Sequence, residues 1–358
     1  MKVFFDNIIF SLQKAGGISV YWSEILARLN EDECDFSIYE SQNTNIFSNR
    51  LVVKKTDHES FPVKILRYLP FTKRLPAKSI FHSSYYRISL QKKVANITTV
   101  HDFTYEYFKS GLPRLIHSWQ KRFAIKNSDG IICVSENTKN DLVSFYPHLN
   151  HSSIKVIYNG VSEDFYLNPK SISLLAKFFP DLVDKKYLLF VGDRSPYKNF
   201  NVVVETIKKL KDFFLVVVGG GEFNQKELPL LSSFQERVIN YQGIDKEKLN
   251  ILYNQSFCLV YPSSYEGFGI PVLEAMRAGC PVISTVFSSI PEVAGEAGLL
   301  IDSVTEDEII EKIGQLENST FRKSIITKGF SQSANFSWNK CFDETVSFYQ
   351  EIYDKKFK

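Results

Sequence analysis

Short apolar runs alternate with amphipathic stretches along the whole of this chain. The runs are rich in β-branched and aromatic residues, as buried strands are, and the stretches between them repeat apolar side chains at helical spacing. Strands are predicted at residues 2–5, 36–39, 80–82, 97–99, 130–134, 155–157, 187–191, 213–218, 238–241, 257–260 and 282–285. Helices are predicted at residues 19–29, 118–126, 136–145, 200–208, 245–255 and 271–277. This alternation predicts an α/β fold whose parallel sheets are covered on both faces.

The alternation breaks between residues 168 and 186, which contain Pro169, Pro180 and scattered charges. A chain of 358 residues is too long for one ordinary core and suits two domains. We expect one Rossmann-like domain at residues 1–168, a second at 169–335, and a C-terminal helix at 336–358 that packs back on the first domain. Two such domains would enclose a cleft, which is a natural place for a ligand.

The amino-acid composition and the net charge exclude several classes of protein. Hydrophobic residues make up 44% of the chain and charged residues 23%, which excludes a disordered or a multispanning membrane protein. The net charge of +3 is too small to predict a nucleic-acid partner. Residues 50–93, however, are rich in Lys and Arg interleaved with leucines, prolines and aromatic residues, with only Asp57 and Glu59 as acids. This basic segment is either a solvated surface or a face that docks on an anionic membrane surface.

Cysteine usage and the N-terminus bear on localisation. The cysteines, at positions 34, 133, 258, 280 and 341, lack the spacing of a zinc or thioredoxin-type site. The apolar neighbours of Cys133 and Cys258 indicate buried, reduced thiols, which are typical of cytosolic proteins. Residues 1–10 are apolar but contain Asp6, which favours a first strand over a signal peptide. We therefore expect a cytoplasmic protein, peripheral on the inner face of the membrane if the basic segment binds lipid.

The most informative stretch covers residues 261–282, where a strand, a glycine-containing loop and a helix follow one another. Gly267 and Gly269 flank Phe268 just before the helix. The backbone N–H groups from Gly267 to Ile270 can therefore approach a ligand without interference from bulky side chains. Because the N-terminus of a helix attracts anions, we expect a phosphate group to bind there.

Two carboxylates lie on either side of that expected phosphate. Glu266 belongs to the loop, and Glu274 is expected on the first turn of the helix. Both would repel a phosphate, but carboxylates accept strong hydrogen bonds from neutral hydroxyl groups. Hydroxyl groups next to a phosphate describe a nucleotide sugar. On spacing alone, a solvated Glu266 and a Glu274 favoured by the helix dipole explain the same two residues equally well.

Glu266 and Glu274 form an E-x7-E motif, and residues 262–282 resemble the donor-binding segment of retaining glycosyltransferases of family 4, which have the GT-B fold. Within that family, the chain is similar to bacterial surface-polysaccharide mannosyl- and hexosyltransferases. Further segments resemble the family in the same order; they contain Gly16 and Gly17, His101, Asn159, Arg194 and Lys198, and the glycines at 219–221. The resemblance is weak between residues 38 and 87, where the acceptor is normally recognised.

The resemblance implies a GT-B architecture, in which two Rossmann-like domains face each other across a cleft. It also implies transfer of a sugar from a nucleotide diphosphate-sugar to an acceptor hydroxyl, with retention of the anomeric configuration. We expect GDP-mannose as the donor, and a UDP-hexose as the second choice. The expected acceptor is a saccharide, lipid-linked as in bacterial cell-surface polysaccharide synthesis.

Roles for individual residues follow from the same resemblance. Arg194 and Lys198 would stabilise the departing diphosphate, Glu266 would hold sugar hydroxyls, and His101 would contact the sugar from the first domain. The expected donor-binding residues are Gly16, Gly17, Asn159, Gly267, Phe268, Gly269, Ile270 and Glu274. We expect neither a metal nor another cofactor, because the two cations meet the phosphate charge and the chain has no Asp-x-Asp motif.

Two other functions stay open at this point. The first is a different enzyme class on a similar fold, such as a nucleotide-sugar epimerase or a glucan phosphorylase. The second is a non-catalytic protein that binds sugar nucleotides. The matched E-x7-E motif weighs against the first, and the presence of every expected donor residue weighs against the second.

Overall fold

The computed structural model describes residues 1–29, 35–48, 51, 55–57, 62–149 and 153–358. The chain forms two compact units. The first unit contains Met1–Gly160 together with Trp338–Lys358, and the second unit contains Val161–Ser337. Every pair of neighbouring strands within the two sheets is parallel, as the α/β pattern predicts.

In its described part, the first unit has a seven-stranded sheet. The strands are β1 (Lys2–Asp6), β2 (Asp35–Glu40), β3 (Lys55–Asp57), β4 (Ser79–Ser83), β5 (Val94–Val100), β6 (Gly130–Cys133) and β7 (Ile154–Val156). They are arranged in the order β3-β2-β1-β4-β5-β6-β7. The helices between them are α1 (Ile8–Leu12), α2 (Gly17–Leu26), α3 (Val63–Leu66), α4 (Thr104–Phe108), α5 (Gly111–Lys126) and α6 (Glu136–Phe145).

The second unit, whose residues are all described, has a six-stranded sheet. The strands are β8 (Tyr187–Val191), β9 (Phe214–Val218), β10 (Val238–Tyr241), β11 (Cys258–Tyr261), β12 (Val282–Thr285) and β13 (Gly298–Ile301). They are arranged in the order β10-β9-β8-β11-β12-β13. The helices are α7 (Ser171–Phe178), α8 (Phe200–Lys209), α9 (Leu228–Leu231), α10 (Lys246–Gln255), α11 (Ile270–Arg277), α12 (Ile290–Ala294), α13 (Glu306–Glu317) and α14 (Ser319–Ser333).

The core of the second unit shows why the pattern folds in this way. All five side chains of β8 are buried, as expected for a central strand of a parallel sheet. Helix α8 buries Phe200, Val203, Val204 and Ile207, which repeat at helical spacing, against the same apolar cluster. The solvent side of α8 carries its lysines and glutamate. Periodicity therefore determines which face of this helix packs on the sheet.

The order of the strands reverses between β1 and β4 in the first unit and between β8 and β11 in the second. The chain leaves these adjacent strands in opposite directions along the sheet, which opens a crevice outside their carboxyl ends. Ligands of doubly wound α/β folds bind in such crevices. In the second unit, the residues that follow β8 and β11 are therefore the first place to look for a site.

The boundary of the second unit lies earlier than the sequence suggested. We predicted it after residue 168, but the unit begins at Val161. Side chains of α10 hold this segment, because Asn250 Oδ1 accepts from the Tyr166 N–H (3.1 Å) and Asn254 Oδ1 accepts from the Asn168 N–H (2.7 Å). Residues 168–186 instead contain α7 and a 3-10 turn, which lie within the unit and not at its edge.

The chain returns to the first unit through a long C-terminal helix, α15 (Trp338–Phe357). This helix packs against α2 and against β4, β5 and β6. Its Tyr349 hydroxyl lies 2.6 Å from Nδ1 of the buried His82 on β4. Lys356, near the end of α15, forms an ion pair with Asp129 at 2.7 Å.

The basic segment at residues 50–93 is largely a structural part of the first unit. Its Leu66, Phe71 and Leu75 are buried, and the last two join a core cluster with Phe4 and Phe81. Arg87, one of the cations counted in it, is fully buried and forms an ion pair with Asp6 at 3.1 Å. Three of the interleaved apolar residues therefore belong to the core, whereas Ile65 and Tyr68 are 54% and 42% exposed, and contact of this segment with a membrane stays a prediction. Arg50, Lys54 and Phe61 lie outside the described residues.

Two further features of the described residues are the state of their cysteines and the character of their helices. Cys133, Cys258, Cys280 and Cys341 are free and buried, as predicted, and Cys34 lies outside the described residues. Across the described ranges, no helix combines the length and apolarity that crossing a bilayer requires.

Candidate functional site

Lys198 and Glu266 form a buried ion pair at the crevice between β8 and β11. Lys198 closes a short 3-10 turn after β8, and Glu266 lies in the loop after β11. Lys198 Nζ lies 2.5 Å from Glu266 Oε1 and 3.0 Å from the Tyr261 hydroxyl. The two charged side chains are only 9% and 12% exposed. Burial alone would lower the pKa of Lys198, but the Glu266 carboxylate raises it well above its usual value.

Asn199 ties the two loops of this crevice together. It adopts a left-handed backbone conformation with φ of 53°, which asparagine tolerates better than most residues. Its Nδ2 donates to the Pro262 carbonyl (2.8 Å) and to the Ser264 hydroxyl (2.7 Å), while the Ser264 N–H donates to the Tyr197 carbonyl (2.8 Å). The loops after β8 and β11 are thus held in a fixed relation, which positions Lys198 beside Glu266.

The glycine loop before α11 also has the expected form. Gly269 has φ of 102°, and a Cβ at this position would come within 3.0 Å of Ile290. Glycine is therefore required here on conformational and steric grounds. Helix α11 begins at Ile270 with Pro271 in its first turn, so its first N–H groups point back toward the loop.

Two serines that the sequence analysis did not single out hold this loop. The Glu266 N–H donates to the Ser288 hydroxyl at 2.7 Å. The Ser289 hydroxyl lies 3.0 Å from the Glu266 carbonyl and 2.9 Å from the Phe268 carbonyl. Both serines come after β12, the strand next to β11, and Ser288 has a positive φ of 52°. Their signal in the sequence is weak, because a Ser-Ser pair after a strand is an ordinary turn.

Glu274 is the fifth residue of α11 and lies just beyond the first turn where we expected it, because the helix begins at Ile270 and not at Pro271. Helix α11 starts at Ile270 and has no acidic residue in its first turn. The Tyr253 hydroxyl from α10 donates to Glu274 Oε2 at 3.1 Å. Burial raises the pKa of Glu274 to about 7, against the opposing effect of this hydrogen bond. Glu274 is thus a carboxyl group whose charge changes near neutral pH.

Arg194 follows β8 and forms hydrogen bonds to the turn after β9. Its Nε donates to Glu227 (2.8 Å), Nη1 donates to the Gly219 carbonyl (3.0 Å), and Nη2 donates to the carbonyls of Gly221 (3.1 Å) and Glu222 (2.8 Å). The three glycines of this turn have φ between 75° and 93°, and a Cβ on Gly220 would come within 2.7 Å of Arg194 Nη1. The guanidinium therefore holds the turn after β9, and its expected contact with the diphosphate stays a prediction.

In the first unit, the expected glycine loop and histidine follow β1 and β5. Helix α2 begins at Gly17, with Gly16 as the residue before it. His101 follows β5 directly, and the Tyr21 ring meets its imidazole edge-on at 5.0 Å between centroids. Burial lowers the pKa of His101 to about 4; the Asp102 carboxylate opposes this shift and Lys121 adds to it. The imidazole is therefore neutral at physiological pH.

A buried lysine holds the backbone of the segment that contains His101. Lys121, on α5, is fully buried and donates from Nζ to the Asp102 carbonyl (2.9 Å) and to Glu106 Oε2 (2.7 Å). Its ammonium also lies 4.4 Å from the centre of the Phe103 ring. This lysine fixes the backbone next to His101, a role that no motif in the sequence indicated.

Asn159 lies at the end of the first unit and is buried. Its Oδ1 has no hydrogen-bond partner among the described residues. Across those same residues, no group of three or more His, Cys, Asp or Glu side chains could hold a metal ion.

Two family models match the chain. The model of glycosyltransferase family 4 matches residues 15–165, and that of glycosyl transferases group 1 matches residues 176–332. The O-antigen chain mannosyltransferase B of Escherichia coli is 28% identical over 271 residues, which cover 71% of this chain and 70% of the relative.

Solved structures have the same fold. Sucrose-phosphate synthase from Thermosynechococcus elongatus superposes with a TM-score of 0.77 at 15% identity, covering 99% of this chain and 100% of the other. Anabaena HepE, solved in complex with UDP-glucose, gives a TM-score of 0.73 at 16% identity and covers 99% of each chain. The motifs, the two matched models and the paired parallel sheets agree, and the chain belongs to glycosyltransferase family 4, with the GT-B fold and glycosyltransferase activity.

Proposed function

We propose that this glycosyltransferase moves a hexose from a nucleotide diphosphate-sugar to a hydroxyl of a saccharide acceptor, with retention of the anomeric configuration. GDP-mannose is our first choice of donor and a UDP-hexose the second. The E. coli relative named as an O-antigen mannosyltransferase supports the first, and the Anabaena structure with UDP-glucose supports the second. A lipid-linked saccharide of bacterial surface-polysaccharide synthesis is the acceptor class that this relative favours.

The buried pair of Lys198 and Glu266 at the β8–β11 crevice is the observation that carries the proposal. An ammonium group has three N–H donors, and Lys198 uses them on Glu266 and on Tyr261. One donor therefore has no partner among the described residues, and an oxygen of the diphosphate is a suitable acceptor for it. Because Glu266 keeps Lys198 charged despite its burial, the cation is already formed before the donor arrives.

Other residues of the second unit would bind different groups of the donor. The N–H groups from Gly267 to Ile270, at the start of α11, would meet phosphate oxygens. Glu274 would accept hydrogen bonds from the ribose hydroxyls, and Glu266 from hydroxyls of the sugar. Arg194 would act as a positioning residue that holds the turn after β9, through the four hydrogen bonds described above.

The chemical step needs no nucleophile from the protein. The bond from the anomeric carbon to the phosphate oxygen breaks, and a bond from the same face of that carbon to the acceptor oxygen forms. The leaving phosphate accepts the proton of the acceptor hydroxyl. Lys198 and the N–H groups of α11 would stabilise the charge on the departing diphosphate, so that we propose a reaction without a metal ion or other cofactor.

In the first unit, His101 keeps the role that the resemblance implies, contact with the transferred sugar. Its low pKa makes it a neutral hydrogen-bonding group and not a general acid at neutral pH. Gly16, Gly17 and Asn159 remain proposed donor-binding residues.

A panel of nucleotides tests the donor assignment. The chain is mixed separately with GDP, UDP, ADP and dTDP, and its thermal transition is recorded. A ligand that binds the folded state raises the transition temperature, so we expect one diphosphate, GDP first, to give the largest increase. Glu274→Ala is expected to remove most of that increase. Equal shifts in wild type and variant would contradict the donor site.

A further inference from the structure

Helix α5 of the first unit carries its most apolar face on the outside. Its buried side chains are His117, Gln120, Lys121, Ala124 and Ile125. On the opposite side, Leu112, Leu115 and Trp119 are 67%, 66% and 61% exposed, and Ile116 is 39% exposed. These four follow the i, i+3, i+4, i+7 spacing of a single helix face. A soluble helix normally turns such a face toward the core, and among the described residues nothing covers this one.

The register of α5 is fixed, so the helix cannot rotate to bury these residues. Lys121 sits on the inner face at no exposure, bound to Glu106 Oε2 (2.7 Å) and to the Asp102 carbonyl (2.9 Å). Rotation would separate a buried charge pair, which is strongly unfavourable. The exposed apolar face is therefore a stable property of the folded first unit.

The charged side chains of α5 are all basic. Helix α5 contains no Asp or Glu. Arg114, Arg122 and Lys126 are exposed, and none has an ion-pair or hydrogen-bond partner among the described residues. Two hollows of about 570 and 540 Å³ adjoin the helix; both are lined by Arg122 together with Phe145 and Tyr146. Exposed cations thus lie next to two open hollows that aromatic side chains help to line.

We infer that the outer face of α5 docks on an anionic phospholipid bilayer. Apolar side chains with a tryptophan would enter the interface, while the cations meet the lipid phosphates. A second copy of this chain fits less well, because it would bring the same uncompensated positive charge to the contact. Docking in this way would hold the enzyme where a lipid-linked acceptor lies. That last consequence rests on the proposed function, but the docking itself does not.

The face is further supported by its surroundings. The Trp119 ring stacks on Phe123 at 5.8 Å between centroids. A small cavity of about 80 Å³ separates Trp119 and Phe123 from Tyr68, which is itself exposed. The apolar surface therefore extends beyond α5 to Tyr68, which belongs to the basic segment at residues 50–93.

Vesicle flotation of the full chain tests this inference. We expect binding to vesicles made from equal parts of phosphatidylglycerol and phosphatidylcholine, and much weaker binding to phosphatidylcholine alone. Replacing Arg114, Arg122 and Lys126 together by Gln should weaken binding about fivefold per charge, on the order of one hundredfold in total. The double variant Leu115→Ser, Trp119→Ser should weaken it at least about tenfold.

Matched controls come from the second unit. The control for charge replaces the exposed Lys211, Lys226 and Lys323 by Gln, and the apolar control is Leu167→Ser, Ile172→Ser, at residues that are 60% and 73% exposed. Both controls should bind vesicles as wild type does. Equal binding to the two kinds of vesicle, or α5 variants that bind like their controls, would overturn the inference.

Two more readouts separate the possible failures. Light scattering that shows a dimer of wild type and a monomer of the α5 variants would assign the face to a second copy and refute docking on lipid. Nucleoside-diphosphate binding should be unchanged in every α5 variant, because none of the substituted residues is a proposed donor-binding residue. If wild type binds vesicles but no nucleoside diphosphate, the proposed function fails while the docking surface stands.

Discussion

The pair of Lys198 and Glu266 allows stability and function to be separated in one set of variants. Lys198→Met removes the cation and keeps the length of the side chain, leaving the Glu266 carboxylate in a site where it is 12% exposed. Loss of one partner of a buried pair costs about 3–5 kcal/mol, and the remaining exposure favours the lower value, about 3 kcal/mol. For a unit of this size that corresponds to a fall in melting temperature of about 6–12 °C.

The double variant Lys198→Met, Glu266→Gln should recover most of that loss, because no uncompensated charge is left in the site. Its ability to bind a nucleoside diphosphate should not recover. Turnover should stay on the order of 10²–10³-fold below wild type, as expected when a preorganised donor to a developing negative charge is removed. The double variant should therefore regain stability but not activity. If the pair had only a structural role, activity would return together with stability.

Differential scanning calorimetry and nucleotide titration measure the two quantities. Lys186 and Glu317 provide the matched control, since their side chains also approach to 2.5 Å but are 40% and 53% exposed. An exposed ion pair contributes about 0–1 kcal/mol to the free energy of unfolding. Lys186→Met should therefore change neither the melting temperature nor nucleotide binding by much. The reasoning is refuted if Lys198→Met melts like Lys186→Met, or if the double variant regains wild-type turnover.

Three further predictions concern Glu274, Arg194 and the metal requirement. Because burial raises the pKa of Glu274 to about 7, the folded state holds its proton more tightly than the unfolded state, and stability should fall as pH rises from about 4.5 through about 7. Glu274→Gln should flatten that part of the profile in urea unfolding; an unchanged pH dependence would show that the group titrates normally. Arg194→Lys keeps the charge but cannot form four hydrogen bonds, so it should lower activity about as much as Arg194→Ala; near wild-type activity would instead indicate a phosphate-binding cation. Turnover should survive excess EDTA, and a complete loss restored by Mg²⁺ or Mn²⁺ would refute a reaction without a metal.

The sequence predicted well which residues of the second unit lie near one another, because they belong to local segments. Glu266, Gly269 and Glu274 lie within one strand-loop-helix stretch, and Lys198 follows an adjacent strand, so that the order of motifs along the chain already placed them at one sheet edge. The α/β class and the family followed from the same local patterns. Both are confirmed by the parallel sheets and the matched family models.

What the sequence could not give depends on contacts between distant segments. The hydrogen bond between Arg194 and Glu227 could not be predicted, because Glu227 lies 33 residues further along the chain. Ser288 and Ser289, which hold the Glu266 loop, sit in an ordinary turn with no motif of their own. The burial of Phe71 and Leu75 in the basic segment could not be predicted either, because both pack against Phe4, which is far away along the chain.

The outward apolar face of α5 was missed for a related reason. Residues 118–126 were predicted as a helix, but α5 begins at Gly111, so Leu112 and Leu115 were outside the predicted element. The helical periodicity of these apolar residues would also have predicted that they face the core. The buried Lys121 determines the orientation, and its partner Glu106 lies on another helix.

The most direct measurement of the central claim is the fate of a nucleotide sugar. The chain is incubated with GDP-mannose and, separately, with UDP-glucose, and the nucleoside diphosphate and the anomeric configuration of the released or transferred sugar are followed by NMR. We predict that one donor is consumed, that its sugar keeps the configuration it had in the donor, and that the variant Lys198→Met, Glu266→Gln consumes neither. Inverted sugar, or equal consumption by that variant, would contradict the account.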